Sequence, residues 1–328
     1  MQENGRAWAF RILGLCLGIG LLLLWIQRAG FRQFGRAILG ASPSLLLASV
    51  AVYSSSWIFR TWRLSLLANH DGTSIGLIDL FKLHVAGYAL NVLLPFKLGD
   101  AASIGFLKMK GVGLGRAAAI IFQTRVMDVT ALLSLCIPAS FLVPRKAAPA
   151  WMPTVILAAA CIAAVPFCVV ALDRGRVASA WLARAAAKLG NRLLMLIAEK
   201  GNDAYLSYHE LAGDRKLGAA SVGLSVLTWA LEGLSGYAVA VAVIGPVSPL
   251  LVVLAISIGN LGKCVPITPG AVGIYESIVA AILHGFGIPL EAAIAIAILD
   301  NILKKLFTLS FGLASAFRME MIRPTFRP

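Results

Sequence analysis

Charge is scarce in this sequence. Only 13% of its 328 residues are charged, 59% are hydrophobic, and the mean hydropathy is +0.85. A soluble domain of that length needs far more charge to cover its surface, so the composition excludes one and indicates a polytopic membrane protein. Acid is scarcer still, with 15 Asp and Glu against 29 Lys and Arg and a net charge of +14. No stretch outside the apolar segments is long enough to fold a basic module, so nucleic acid is not an expected partner. The excess suits cytoplasmic loops and an anionic leaflet instead. The five cysteines lie in apolar segments without a CxxC spacing, and the four histidines form no HxxxH pair. Neither a metal nor another cofactor is therefore expected. A GxxxxGK[ST] nucleotide loop is missing as well, and no nucleophile–base pair stands out.

What is present is apolar length. Runs at 8–26, 43–59, 117–143, 152–172, 217–244 and 290–317 each exceed the roughly 17 residues that a helix needs to cross hydrocarbon. The first has no small-residue cleavage site after it and reads as a retained helix. Two more segments, 75–107 and 250–284, are interrupted. The second contains NLGKCVPITPGAVGIYES at 260–277, where Pro266, Pro269, Gly262, Gly270 and Gly273 break an apolar stretch. The expected fold class is an all-α polytopic membrane protein with about six full transmembrane helices and two re-entrant broken-helix elements. Broken backbone at membrane depth is tolerated only where protein or a water-filled cavity receives it.

An offset of 176 residues relates the two halves. It places Asp100 on Glu276, Gly111 on Gly287, Ala117 on Ala293, Arg125 on Asn301 and Asp128 on Lys304. Asn91 and Asn260 are 169 apart, so the second copy holds about seven extra residues in its break. The chain divides as one membrane domain, 1–328, with a first repeat at 43–143 and a second, inverted repeat at 217–317. With both termini cytoplasmic, the inside loops collect eighteen Lys and Arg, counting Arg60 and Arg63, and the outside loops five. The cluster Arg28, Arg32, Arg36 is the discordant piece. Between the repeats, 173–216 reads as a basic cytoplasmic segment. Arg184, Lys188 and Arg192 recur every four residues beside an apolar face, the pattern of an amphipathic helix on an anionic leaflet over 174–200.

Ionisable side chains at membrane depth are costly and face a partner or a cavity. Arg125 and Asp128 are spaced i,i+3, and Asp300 and Lys304 i,i+4 with Lys305 beside them. Glu232 sits near the centre of 217–244 with no base within a turn. Lys97 and Asp100 occupy the first break, Lys263 and Glu276 the second. Each acid either pairs with a base and ties helices together or serves a cavity. The breaks free half-helix amides near 100–103 and 270–275, which suit a phosphate or carboxylate. Asp100 and Glu276 are candidates either to cap those half-helices or to couple to protons.

The run N-x-x-x-P-x-x-x-G-D at 91–100, followed by P-x-x-P-G-x-x-G-x-x-E at 266–276, resembles the lysylphosphatidylglycerol synthetase transmembrane-region family, also called flippase-like. The resemblance covers about 40–317. Family members carry a basic residue close to an acidic one after the first motif, as Arg125 and Asp128 do here. Two departures are that the usual PGG is Pro269-Gly270-Ala271, and that Lys97 and Lys263 are not typical. The resemblance implies movement of a polar, anionic or phosphate-containing lipid between leaflets of a bacterial cytoplasmic membrane, and no enzyme activity. The aminoacyl-transferase domain fused in some relatives is not expected within a chain whose last residue is Pro328. On this reading Asn91, Lys97, Asp100, Arg125, Lys263, Gly270, Glu276 and Lys304 bind the lipid, and Asp128, Glu232 and Asp300 line the cavity or couple to protons. An intramembrane transferase using Asp100, His84 or Glu276, and a non-catalytic partner of a lipid-synthesis complex, are the alternatives. An oligomer is allowed but not required.

Overall fold

Among the described residues every regular element is helical. The structure, a computed structural model, describes residues 19–94, 97–143, 149–172, 192–263 and 268–318, with 16 and 184 as single positions. The helices are α1 (Ile19–Ala29), α2 (Phe31–Leu39), α3 (Pro43–Ala68), α4 (Leu77–Leu93), α5 (Leu98–Met109), α6 (Leu114–Leu142), α7 (Met152–Leu172), α8 (Arg192–Gly213), α9 (Arg215–Ile244), α10 (Pro249–Gly262), α11 (Ile274–Gly285) and α12 (Leu290–Arg318). A short 3₁₀ turn, Pro269–Ala271, precedes α11.

Local chemistry sets the main boundaries. Pro43 and Pro249 each occupy a first helical turn, where the missing N–H costs nothing. Asp214 caps α9 by accepting from the Lys216 and Leu217 amides at 2.9 and 3.1 Å. The breaks fall after Leu94 and Lys263, beside the prolines that the sequence supplies. Lys97 enters α5 at φ 53°, while Gly270 and Ala271 enter the second break at φ 59° and 53°. α5 and α11 have 12 residues each, about 18 Å of helix, well short of the ~30 Å hydrocarbon core.

α6 and α9 are long and apolar enough to cross a membrane alone, and the bent pair α2–α3 brings the number to three among the described residues. The sequence reading expected about six. α12, at 29 residues, is as long as α6, but its middle holds Asp300, Lys304 and Lys305; α3, at 26 residues, holds Arg60 and Arg63. Buried charge, not length, lowers their apolarity.

α3 lies along α9, α4 against α12, and α10 against α6. Besides a small cluster around Tyr53, Trp57 and Val85, the core forms two large apolar regions. One joins the far half of α6 to α10, α11 and the first half of α12; the other joins the end of α3 and the start of α4 to the near half of α6 and α8. Between them runs a buried polar layer on α6 (Gln123, Thr124, Asp128), α9 (Ser225, Thr228, Glu232) and α12 (Asp300, Asn301, Lys304). Each of these positions lies near the middle of its helix.

Arg60 and Arg63 belong to that layer. They were expected in a cytoplasmic loop because the apolar run ends at residue 59, but α3 continues to Ala68 and both side chains are at most 1% exposed. They therefore drop out of the loop-charge count. Much of the basic segment 174–200, and both termini, lie outside the described residues. Its C-terminal part is α8, which packs on α6 through Tyr208 against Phe122, ring centroids 5.1 Å apart.

Candidate functional site

A cavity of about 210 Å³ opens within the polar layer, where the two breaks converge. Gly270 approaches the last turn of α4 so closely that a Cβ on it would lie 3.1 Å from the Val92 carbonyl oxygen and 3.4 Å from Lys305 Cε. Only glycine, free at φ 59° and without a side chain, fits there.

Eight of the expected site residues line this cavity: Asn91, Lys97, Arg125, Asp128, Glu232, Lys263, Gly270 and Lys304. Asp100, Glu276 and Asp300 do not; they stand behind the wall and hold those that do. Asp100 accepts from two nitrogens along one edge of the Arg125 guanidinium, Nε at 3.0 Å and Nη2, and from Asn91 Nδ2 at 2.7 Å. A forked pair of this kind fixes orientation as well as charge. Arg125 also donates to Tyr88 Oη at 2.8 Å and reaches Asp128 Oδ2 at 3.3 Å.

Glu276 accepts from the Gly273 amide at 2.7 Å and from Asn301 Nδ2, so it caps the start of α11. Of the two roles left open for it, the cap is the one with visible partners, and it occupies an amide that the sequence reading had assigned to a ligand. Asp300 accepts from Tyr275 Oη and from Lys304 Nζ, and Lys304 also donates to the Glu232 carbonyl oxygen at 3.1 Å.

Glu232, which has no base near it in sequence, pairs across the helix interface with Arg60. The Arg60 guanidinium donates to Tyr88 Oη at 3.0 Å and lies 4.9 Å from the Trp229 ring centroid. Arg63 donates to Asp128 Oδ1 and Ser225 Oγ, both at 2.6 Å, and Trp229 Nε1 adds a third donor to the layer at 3.0 Å from Asp128 Oδ1. Arg60, Tyr53, Tyr88, Trp229, Asn260, Asn301 and Lys305 are wall residues that the sequence reading did not assign to the site. A lone acid such as Glu232 at membrane depth was the available cue that a distant base had to exist.

The charges do not balance. Arg60, Arg63, Lys97, Arg125, Lys263, Lys304 and Lys305 supply seven cations; Asp100, Asp128, Glu232, Glu276 and Asp300 supply five anions. Among the described residues, Lys97, Lys263 and Lys305 have no carboxylate within ion-pair distance. Lys263 Nζ instead sits 3.8 Å over the Tyr275 ring. His84, a candidate acid–base group in the transferase alternative, is buried among Trp57 and Tyr88 and does not line the cavity.

Outside this layer His70, Asp71 and Glu210 approach one another at the surface. The Arg116 guanidinium already bridges Asp71 at 2.6 Å and Glu210 at 3.0 Å, so the carboxylates there hold a cation of the protein's own.

A family model described as the lysylphosphatidylglycerol synthase TM region matches residues 11–312. The protein named Glycosyltransferase AglD, from Haloferax volcanii, is 30% identical over 106 residues, covering 30% of this chain and only 17% of that protein.

Proposed function

We propose that this chain, which belongs to the lysylphosphatidylglycerol synthase transmembrane-region family, carries a polar lipid with an anionic headgroup from one leaflet of a bacterial cytoplasmic membrane to the other. The observation that carries the reading is the cavity itself: a space of about 210 Å³ at mid-helix level, walled by lysines and arginines in excess of their carboxylates. Moving a bare ion into low dielectric costs on the order of 20 kcal/mol by the idealised estimate. Ammonium and guanidinium groups replace the headgroup's water there, while the acyl chains stay in lipid outside the bundle.

An inverted repeat explains how one site serves both leaflets. Contacts exchange between the halves: α4 of the first lies on α12 of the second, and α10 of the second on α6 of the first. The pair Asp100–Arg125 has its counterpart, at the same offset of 176, in Glu276–Asn301. Both pairs fasten a short second arm to the long helix that follows it. With α5 and α11 as re-entrant arms and both termini cytoplasmic, rocking of one half against the other exposes the cavity to each leaflet in turn. The basic segment 174–200 rests on the anionic inner leaflet.

The partial likeness to a protein named as a glycosyltransferase favours one other reading, an intramembrane transferase on a lipid-linked substrate. Against it, Asp100 and Glu276 are both engaged in structural pairs and His84 is off the cavity. Reconstitution in liposomes with fluorescent lipid analogues and a membrane-impermeant quencher separates the two. The transport reading expects an anionic analogue to become quenched faster than in protein-free vesicles, without chemical change. No acceleration together with a modified lipid would establish the transferase instead.

A further inference from the structure

The cavity's charge excess has a definite size. Seven cations against five carboxylates leave a net excess of two positive charges in the polar layer. The three lysines without carboxylate partners, Lys97, Lys263 and Lys305, face the cavity, and Glu276 is the one acid in the layer without an ion-pair partner among the described residues. The undescribed residues beside the two breaks, 95–96 and 264–267, contain no acid that could neutralise them. Lysine binds phosphate as a mobile point charge, so three of them can converge on one group from different directions. Gly270 leaves the backbone bare next to Lys305, whose Nζ lies 3.6 Å from the position a Cβ would take. At about 210 Å³ the space is smaller than a drug-sized pocket and suits a headgroup alone.

We infer that the site is built for a phosphate carrying two negative charges, a phosphomonoester or a diphosphate, in preference to a singly charged phosphodiester or a zwitterion. The inference rests on the lipid-carrying reading above. A phosphodiester would leave one positive charge in the layer uncompensated, whereas a doubly charged phosphate closes the balance.

The test uses the purified full chain in nanodiscs of zwitterionic lipid. The probes are phosphatidic acid as the phosphomonoester, phosphatidylglycerol as the phosphodiester, and inorganic phosphate and pyrophosphate as soluble sources of the same chemistry. Phosphatidic acid is expected to bind at least about tenfold more tightly than phosphatidylglycerol, the worth of one further charge-assisted contact. That preference should grow as pH rises through the second phosphate ionisation near 6. Lys97→Asn and Lys305→Gln should each bring the ratio toward one. Neither should lower the melting temperature of the lipid-free protein, since each removes an uncompensated charge, and this readout separates loss of the site from loss of the fold. Equal affinity for the two lipids would overturn the inference and leave lipid carriage standing. Binding of pyrophosphate or phosphate with neither lipid bound would overturn both, and so would no binding of any probe.

Discussion

Arg60 and Glu232 stand 172 positions apart in the chain and meet in a setting that neither could occupy alone. Truncating one member of such a pair strands the other charge, at a cost of about 3–5 kcal/mol. Arg60→Ala is therefore expected to lower the melting temperature sharply in detergent, and Arg60→Leu combined with Glu232→Leu to recover most of the loss. If the double variant melts no higher than the single one, the pair is not what Arg60 contributes. Ala271 makes the converse case. It holds φ 53° where the resembled family has glycine, a conformation disfavoured by roughly 1–2 kcal/mol for a residue with a Cβ. Ala271→Gly should leave stability unchanged or raise it by up to about 1 kcal/mol, read by thermal melting. A marked loss would mean that its methyl packing outweighs the backbone relief. Lys97, Lys263, Arg125 and Gly270, which line the cavity, were legible as candidates because each sits in a break or beside an acid in sequence. Arg60 and Lys305 were not, since what places them is a partner or a wall contributed by another helix.

Helices were easier to read than their ends. The apolar runs at 152–172 and 217–244 match α7 and α9 within two residues, because lipid-compatible length is written continuously in the chain. α3 was cut nine residues short at 59, because buried arginine looks like a loop to any reading based on hydropathy. Two of the three discordant arginines, Arg32 and Arg36, ride on α2, a short helix turned 76° from α3, and not in an extended loop; Arg28 is on α1. The turn after α3 carries a pH-sensitive clasp. His70 Nε2 lies 3.1 Å from Asp214, the cap of α9, and Nδ1 3.2 Å from Asp71, which Arg116 and through it Glu210 also contact. The two carboxylates raise the His70 pKa above its ordinary 6.5 more than Arg116 and partial burial lower it. A raised histidine stabilises fully below the unfolded value of about 6.5 and loses that contribution as pH rises through the folded value. The melting temperature should thus fall modestly between pH 6 and 8, and His70→Gln should flatten that part of the profile. An unaltered profile in the variant would assign the dependence to another group. The effect is small because the site is exposed.

Two large apolar cores stand on either side of a charged layer, the arrangement on which the proposed rocking would act. Each core is apolar packing, whereas the layer is held by polar pairs such as Arg60–Glu232 and Arg63–Asp128. α3 packs extensively on α9, where Ser49 Oγ and Ser235 Oγ hydrogen-bond at 2.9 Å, away from the cavity wall. The rocking proposed above requires this contact to shift. Two cysteines placed there, Ser49→Cys and Ser235→Cys in a background lacking the native five, bring their sulfurs near bonding range, since the Cβ separation of a disulfide is only about 3.5–4.5 Å. Oxidation in liposomes is expected to stop lipid movement, and reductant to restore it, while the oxidised protein still binds its anionic headgroup. Retained binding matters because it separates a locked hinge from a collapsed site. Movement at the reduced rate in the fully oxidised protein would show that the α3–α9 seam stays fixed through the cycle. Motion would then have to come from the short arms α5 and α11, which the contacts Asp100–Arg125, Glu276–Asn301 and Tyr275–Asp300 tie to the long helices beside them.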